Sequence, residues 1–232
     1  MPASTPGDCD WKSVMPDLTV PYGVPYICQF ASPALVKAFI DGERALESDP
    51  NWAAYGAESP AEYAHWALRA CGVVCVKMAV DGLTGVESGP VMDWVRAGLA
   101  LDGYLAEQRA DRRVEIGWKH AALAQLAADR GCEAALVQHL TLDDLSAHVE
   151  AGKIVIASVS SEIGEGLPIT RRNGHLVVVY GVALDGEGEV EAVILHNPSG
   201  RTAALQAGAR VPAGRFREAF SGRGIIVGAA QK

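Results

Sequence analysis

The chain has no run of lysines or arginines; its basic residues are scattered among more numerous acidic ones. With 20 Lys and Arg against 28 Asp and Glu, the formal charge is −8. An acidic chain without a basic face is a poor partner for phosphate backbones or anionic membranes, so neither nucleic acid nor membrane is expected as a partner. Every apolar stretch is interrupted by charge or glycine well short of a membrane span. The start, Met1-Pro-Ala-Ser-Thr-Pro-Gly-Asp-Cys-Asp10, has neither a basic beginning nor an apolar core. No secretory signal is therefore read there, and a cytoplasmic location is expected. Cysteine is sparse and odd in number: Cys9, Cys28, Cys71, Cys75 and Cys132. Without an export signal this does not suggest a disulfide framework. Cys71 and Cys75 are four apart, but no second Cys/His pair follows at finger-like spacing. No metal or cofactor is expected. Repeats and low-complexity stretches are also missing.

What remains is a chain of 232 residues, 49% apolar, enough for a single domain with a real core. Residues 1–25 are rich in Pro, Gly and Ser and read as an irregular arm. Val24-Pro-Tyr-Ile-Cys-Gln29 reads as extended, because proline pushes its predecessor out of the helical region. Ser32-Pro33 and Ser59-Pro60-Ala61-Glu62 read as capped helix starts, the second with Glu placed for a capping box, and Asp49-Pro50-Asn51 is the break between them. About 32–66 is thus a helical insertion. The stretch 67–152 reads as a mainly helical lobe: a buried helix from Cys71 to Val80, then Val91–Leu101, Lys119–Asp129, and the capped segment Thr141–Glu150. From 153 to 232 the character changes to a mainly β lobe. Ile154–Val159, His175–Val182 and Val190–His196 are β-branched runs between turns, Asp185-Gly-Glu-Gly188 links the last two as a hairpin, and Ile225-Ile-Val-Gly228 closes the lobe. Helices before strands predict an α+β fold, a helical lobe packed on an antiparallel sheet.

Three residues in this layout point to one chemistry. Cys71 opens the buried helix, where the positive end of the macrodipole lowers a thiol pKa, and Gly72 leaves room for a substrate backbone. His175 opens the most apolar strand after the polar turn Arg171-Arg-Asn-Gly174, exposed enough to titrate. Asn197, in His196-Asn-Pro-Ser-Gly200, ends the next strand. Antiparallel pairing makes those two strand ends neighbours, so Asn197 can orient the His175 ring. A helix-start Cys followed about a hundred residues later by such a His and Asn fits Cys-His-Asn nucleophilic catalysis. Each residue also has a plain reading: a packed thiol, a strand-end histidine, a turn.

Together with Val24–Gln29, Cys71-Gly-Val-Val-Cys-Val-Lys-Met78, Gly117-Trp-Lys-His120, Gly174–Gly181 and Leu195–Ser199, in that order, the chain resembles papain-like cysteine peptidases. Among these it is similar to the family that cleaves double-glycine leader peptides of bacteriocins and to its stand-alone relatives. The resemblance implies a papain-like fold, Cys71 as nucleophile, His175 as general base, Asn197 as orienting group and Gln29 as oxyanion donor beside the Cys71 N–H. It implies a peptide or acyl substrate and hydrolysis of a peptide or amide bond through a Cys71 thioester. An acyltransferase or amide-forming enzyme using the same triad is the first alternative, and a non-catalytic peptide-binding member the second. Departures are visible. Ala70 precedes Cys71 where the family usually has an acidic residue, Val73 follows Gly72 where Pro is frequent, Asn197 replaces the commoner Asp, and the 32–66 insertion separates Gln29 from Cys71. Trp52 and Trp66 are read as core. Cys28 is read as a packed thiol near the site, and His65, His120, His139 and His148 as helix-surface residues. Glu162–Glu165 is a polar loop before the His175 strand, either substrate-facing or merely solvated. The oligomeric state stays open.

Overall fold

The computed structural model describes residues 16–164, 166, 168–172 and 174–230. Within the arm, Leu18–Thr19 forms β1, which pairs antiparallel with a later strand at Val182 and Gly181. Cys9 lies outside the described residues. Val24 to Cys28 has no regular secondary structure, Gln29 lies in a bend, and the segment joins no strand ladder.

The insertion is less helical than its caps suggest. After Ser32 come a 3-10 turn, Pro33–Leu35, the short α1 (Val36–Ile40) and two more 3-10 turns, Leu46–Ser48 and Trp52–Tyr55. The Ser32 hydroxyl donates to Asp49 Oδ1 at 2.5 Å rather than capping the helix. Asp49 also accepts from the Ser32 N–H and the Tyr63 hydroxyl, which makes a buried knot tying the insertion to itself. In α2 (Pro60–Ala67) the Ser59 hydroxyl accepts from Glu62 N–H at 3.1 Å, as predicted. The reciprocal bond shifts by one residue, because Glu62 Oε2 accepts from Glu58 N–H at 2.6 Å.

α3 (Cys71–Thr84) is buried from Gly72 to Gly82 and ends on Gly85, whose φ of +69° suits glycine. Its two charges face each other inside the protein: Lys77 Nζ lies 2.6 Å from Asp81 Oδ2, with both side chains 5% exposed. α4 (Val91–Ala100) follows as predicted. Next comes a hairpin the sequence reading missed, β2 (Tyr104–Arg109) and β3 (Arg112–Trp118). β2 is largely exposed, so it lacks the apolar alternation that marks a half-buried strand. After α5 (His120–Ala128) comes β4 (Cys132–Val137), a second missed strand. Its sequence, Cys-Glu-Ala-Ala-Leu-Val, carries weak strand preference, and pairing with the last strand of the chain makes it one. α6 (Leu142–Glu150) has the full capping box, Thr141 with Asp144.

The remaining strands are β5 (Ile154–Ser160), β6 (Gly174–Leu184), β7 (Val190–His196), the short β8 (Ala209–Pro212) and, after α7 (Ala213–Ala219), β9 (Phe220–Ala229). They form a seven-stranded sheet in the order β4-β9-β5-β6-β7-β8, with β1 on β6. The described pairs are all antiparallel. The segment expected to close the lobe is thus longer and lies inside the sheet. β5 is buried at all seven positions, which requires cover on both faces; α3 and α6 both pack against β5 and β6. The fold is α+β, helices before sheet, with three strands lying in the stretch read as mainly helical.

Candidate active site

Cys71 is the first residue of α3 and belongs to a cleft of about 760 Å³ that also reaches His175, Tyr104, Glu115, Trp118 and Arg223. A larger cavity of about 1020 Å³, lined by Cys28, Phe30 and Tyr55 among others, includes neither Cys71 nor His175. The cleft that contains the thiol and the imidazole is the one with chemistry in it. Of the four described cysteines, Cys71 alone keeps partial solvent contact; Cys28, Cys75 and Cys132 are buried. As read from sequence, Cys28 is packed: its thiol donates to Pro198 O at 3.3 Å.

The thiol differs from expectation. Protein packed around it desolvates Cys71 and pushes its pKa above the ordinary value, although the residue is not fully covered. Backbone N–H groups of Leu176, Gly72 and Cys71 itself act in the opposite direction and do not prevail. The helix start thus moderates the rise without reversing it. Gly72 is also reassigned. A Cβ there would meet Leu123 at 3.0 Å, Trp118 at 3.1 Å and Leu176 at 3.3 Å, so the residue is small for close packing of α3 and not for substrate access.

His175 is 6% exposed, more buried than a strand mouth suggests, and burial lowers its pKa. Its Nε2 lies 2.8 Å from Asn197 Oδ1, and that bond partly restores its basicity. The Ser199 N–H donates to the same Oδ1 at 3.1 Å, which fixes which end of the Asn197 amide faces the ring. An oxygen at that position makes Nε2 the protonated nitrogen and leaves Nδ1 as the basic one. Ser199 Oγ, 3.3 Å from Nε2, is a second neighbour of that nitrogen, unnoticed in the sequence because Asn-Pro-Ser-Gly reads as turn chemistry. His175 and Asn197 are brought together as the hairpin predicts, with Val178 opposite His196 in the β6–β7 register. The carbonyl of Leu176, next in chain to His175, accepts from the Cys75 thiol at 3.3 Å.

Gln29 is 4% exposed and lines neither cavity. Its backbone N–H donates to Pro198 O at 2.8 Å, its carbonyl accepts from the Tyr55 hydroxyl at 2.8 Å, and its Nε2 donates to Ala67 O at 2.9 Å. Because Ala67 O can only accept, the amide cannot flip. One N–H of Nε2 stays uncommitted to that carbonyl, while Oε1 is buried without a partner. Cys28, Phe30 and Tyr55 line the larger cavity, and Gln29 does not.

Trp66 meets Tyr104 edge-on and Trp118 at a tilt, with ring centroids 5.3 and 6.0 Å away, and packs on the core as does Trp52. His65 lies on α2 and His148 on α6, but His120 lines the cleft and His139 occupies a turn at φ +63°. Glu162 folds back on its own loop, accepting from Thr170 N–H and hydroxyl at 2.7 Å each; Glu165 lies outside the described residues. His196, quoted only as turn context, is locked: Gly208 N–H donates to its Nδ1 at 3.0 Å, so its Nε2–H donates to Val24 O at 2.9 Å. Among the described residues, no three His, Cys, Asp or Glu gather as a metal site, and no helix is long and apolar enough to cross a membrane.

No protein-family model matches the chain, and no curated protein sequence matches it. Eleven chains of solved structures are similar to it, three peptidases among them. One, described as a C39-like peptidase from Bacillus anthracis, has 18% identity over 71% of this chain and 90% of its own, with a TM-score of 0.49. A double-glycine motif protease from an AMS/PCAT transporter, in complex with the leader peptide, has 16% identity over 69% of this chain and 84% of its own, with a TM-score of 0.41. The peptidase domain of Streptococcus ComA, a bi-functional ABC transporter, has 15% identity over 70% and 93%, with a TM-score of 0.43. These are distant likenesses, and the chemistry of this chain rests on its own side chains.

Proposed function

We propose that the protein is a cysteine-dependent acyl-transfer enzyme that hydrolyses a peptide or amide bond through a thioester on Cys71. The observation that carries this reading is the His175–Asn197 bond of 2.8 Å beside a partly exposed thiol in one cleft. Burial raises the thiol pKa and lowers the imidazole pKa, so the resting pair is neutral thiol and neutral imidazole. In this mechanism Nδ1 of His175 takes the thiol proton as sulfur bonds to the carbonyl carbon. The resulting oxyanion is met by the Cys71 backbone N–H and Gln29 Nε2. The imidazolium then gives its proton to the leaving amine as the C–N bond breaks. Water, deprotonated by the same nitrogen, attacks the thioester, and the acid leaves with regeneration of the thiol. Asn197 holds the ring through both halves.

Intact-mass spectrometry tests the assignment. One iodoacetamide adduct, mapped to Cys71 and formed before any on Cys28, Cys75 or Cys132, is expected, together with a transient acyl adduct when a cleavable peptide ester is supplied. Faster labelling of Cys75, or turnover retained by Cys71→Ala, would reject the reading. Product analysis with added amines separates hydrolysis from transfer to an amine.

A further inference from the structure

The cleft contains a second feature that the triad does not use. β9 enters the sheet through a bulge: its register against β5 shifts between Ala157 and Val159. The backbone there is fixed from several sides. The Ser221 hydroxyl donates to Ser158 O at 2.9 Å, the Arg223 N–H donates to Ser221 Oγ at 3.3 Å, and the Gly222 carbonyl accepts from Leu140 N–H at 2.9 Å. Gly222 has φ +73°, and a Cβ on Gly224 would stand 2.9 Å from Ile156 O. Bulges beside active sites re-aim side chains. This one turns Arg223 into the cleft shared by Cys71 and His175.

His120, at the start of α5, lines the same cleft. Burial first, and the charge of Arg223 second, oppose its protonation, so the two groups are held where each disfavours the other's positive charge. Among the described residues Arg223 forms no ion pair, whereas Arg96, Arg109 and Arg210 all sit on carboxylates in this acidic chain. Glu115, the carboxylate that also lines the cleft, adds to the rise that burial causes in the Tyr104 pKa. An incoming anion would meet a guanidinium that has no ion pair among the described residues and an imidazole that can become a second donor.

We propose that Arg223 and His120 form a substrate subsite for a carboxylate side chain, which makes the enzyme selective for peptides with Asp or Glu near the scissile bond. This rests on the acyl-transfer reading for its consequence in turnover, but not for its consequence in binding. The test uses an equimolar decapeptide library in two arms. In the first, cleavage by the active protein is read by mass spectrometry. Asp and Glu are expected to exceed Asn and Gln at one position flanking the cut by roughly two- to five-fold in kcat/KM, the scale of an ion pair at an exposed guanidinium. Arg223→Glu is expected to invert the preference toward Lys and Arg at that position. In the second arm, the Cys71→Ala protein is used for affinity selection from the same library, with and without Arg223→Glu. Enrichment of acidic peptides that the charge reversal abolishes supports the subsite even if nothing is cleaved, which would count against peptide hydrolysis alone. Iodoacetamide labelling of Cys71 in Arg223→Glu reports that the cleft is still formed. Acid-to-amide ratios near one, or ratios that Arg223→Glu leaves unchanged, would overturn the proposal and leave Arg223 as a solvated surface residue.

Discussion

Asn197→Ala should slow turnover only modestly, and the reason lies one residue beyond the proline. The substitution removes the acceptor 2.8 Å from His175 Nε2. Complete loss of the correct tautomer in a related arrangement costs about four orders of magnitude. Here Ser199 Oγ stands 3.3 Å from the same nitrogen and can accept its proton, so the ring keeps Nε2–H and a basic Nδ1. What is lost is the net value of one hydrogen bond, about 0.5–1.5 kcal/mol, or about 2- to 13-fold in kcat/KM. The Asn197→Ala/Ser199→Ala double variant, with both acceptors gone, should lose far more than the product of the two single effects. A second readout concerns pH. The Asn197 bond raises the His175 pKa against the larger depression by burial, so its removal moves the acid limb of the pH–rate profile to lower pH. Steady-state kinetics across pH on any cleaved peptide supplies both measurements. A loss near four orders of magnitude in Asn197→Ala alone would show that Ser199 does not substitute. Full activity with an unmoved acid limb would show that Asn197 does not orient the ring.

Cys71→Ala and His175→Ala should each abolish turnover, and the double variant should be no worse than either, because the pair acts as a unit; additive losses in single-turnover assays would separate them. Gln29→Ala should lower kcat by roughly ten- to a thousand-fold if its Nε2 meets the oxyanion. Tyr55→Phe, which removes the donor to Gln29 O, should lower kcat in the wild-type background and have no further effect on kcat in Gln29→Ala; an equal loss in both backgrounds would make Tyr55 a packing residue only. Lys77→Met removes the buried cation beside Asp81, leaving the Ser88 hydroxyl as side-chain donor to the carboxylate, and should destabilise the fold by about 3–5 kcal/mol in urea unfolding, with recovery in Lys77→Met/Asp81→Leu. Destabilisation of less than about 1 kcal/mol would mean that water reaches the pair.

Local sequence determined a good part of this protein. Serine and threonine caps with an acidic residue three positions on, as at Ser59 and Thr141, start helices because they satisfy end N–H groups within one turn. β-branched runs marked β5, β6 and β7, and the tight Asp185–Gly188 turn set their register, which is why His175 and Asn197 could be paired from the sequence. These effects act over a few residues, and the sequence displays them directly. The tertiary structure decided the rest. β4 is a strand because β9, about ninety residues later, pairs with it. The Cys71 thiol is raised rather than lowered because desolvation comes from the whole packed neighbourhood and outweighs the local helix start. Gly72 is small because Trp118, Leu123 and Leu176 converge on it. Ser199 and Arg223 gained their positions from a turn and a bulge whose local sequences look ordinary. Desolvation, charge proximity and close approach depend on residues far apart in the chain, so no window of sequence contains them.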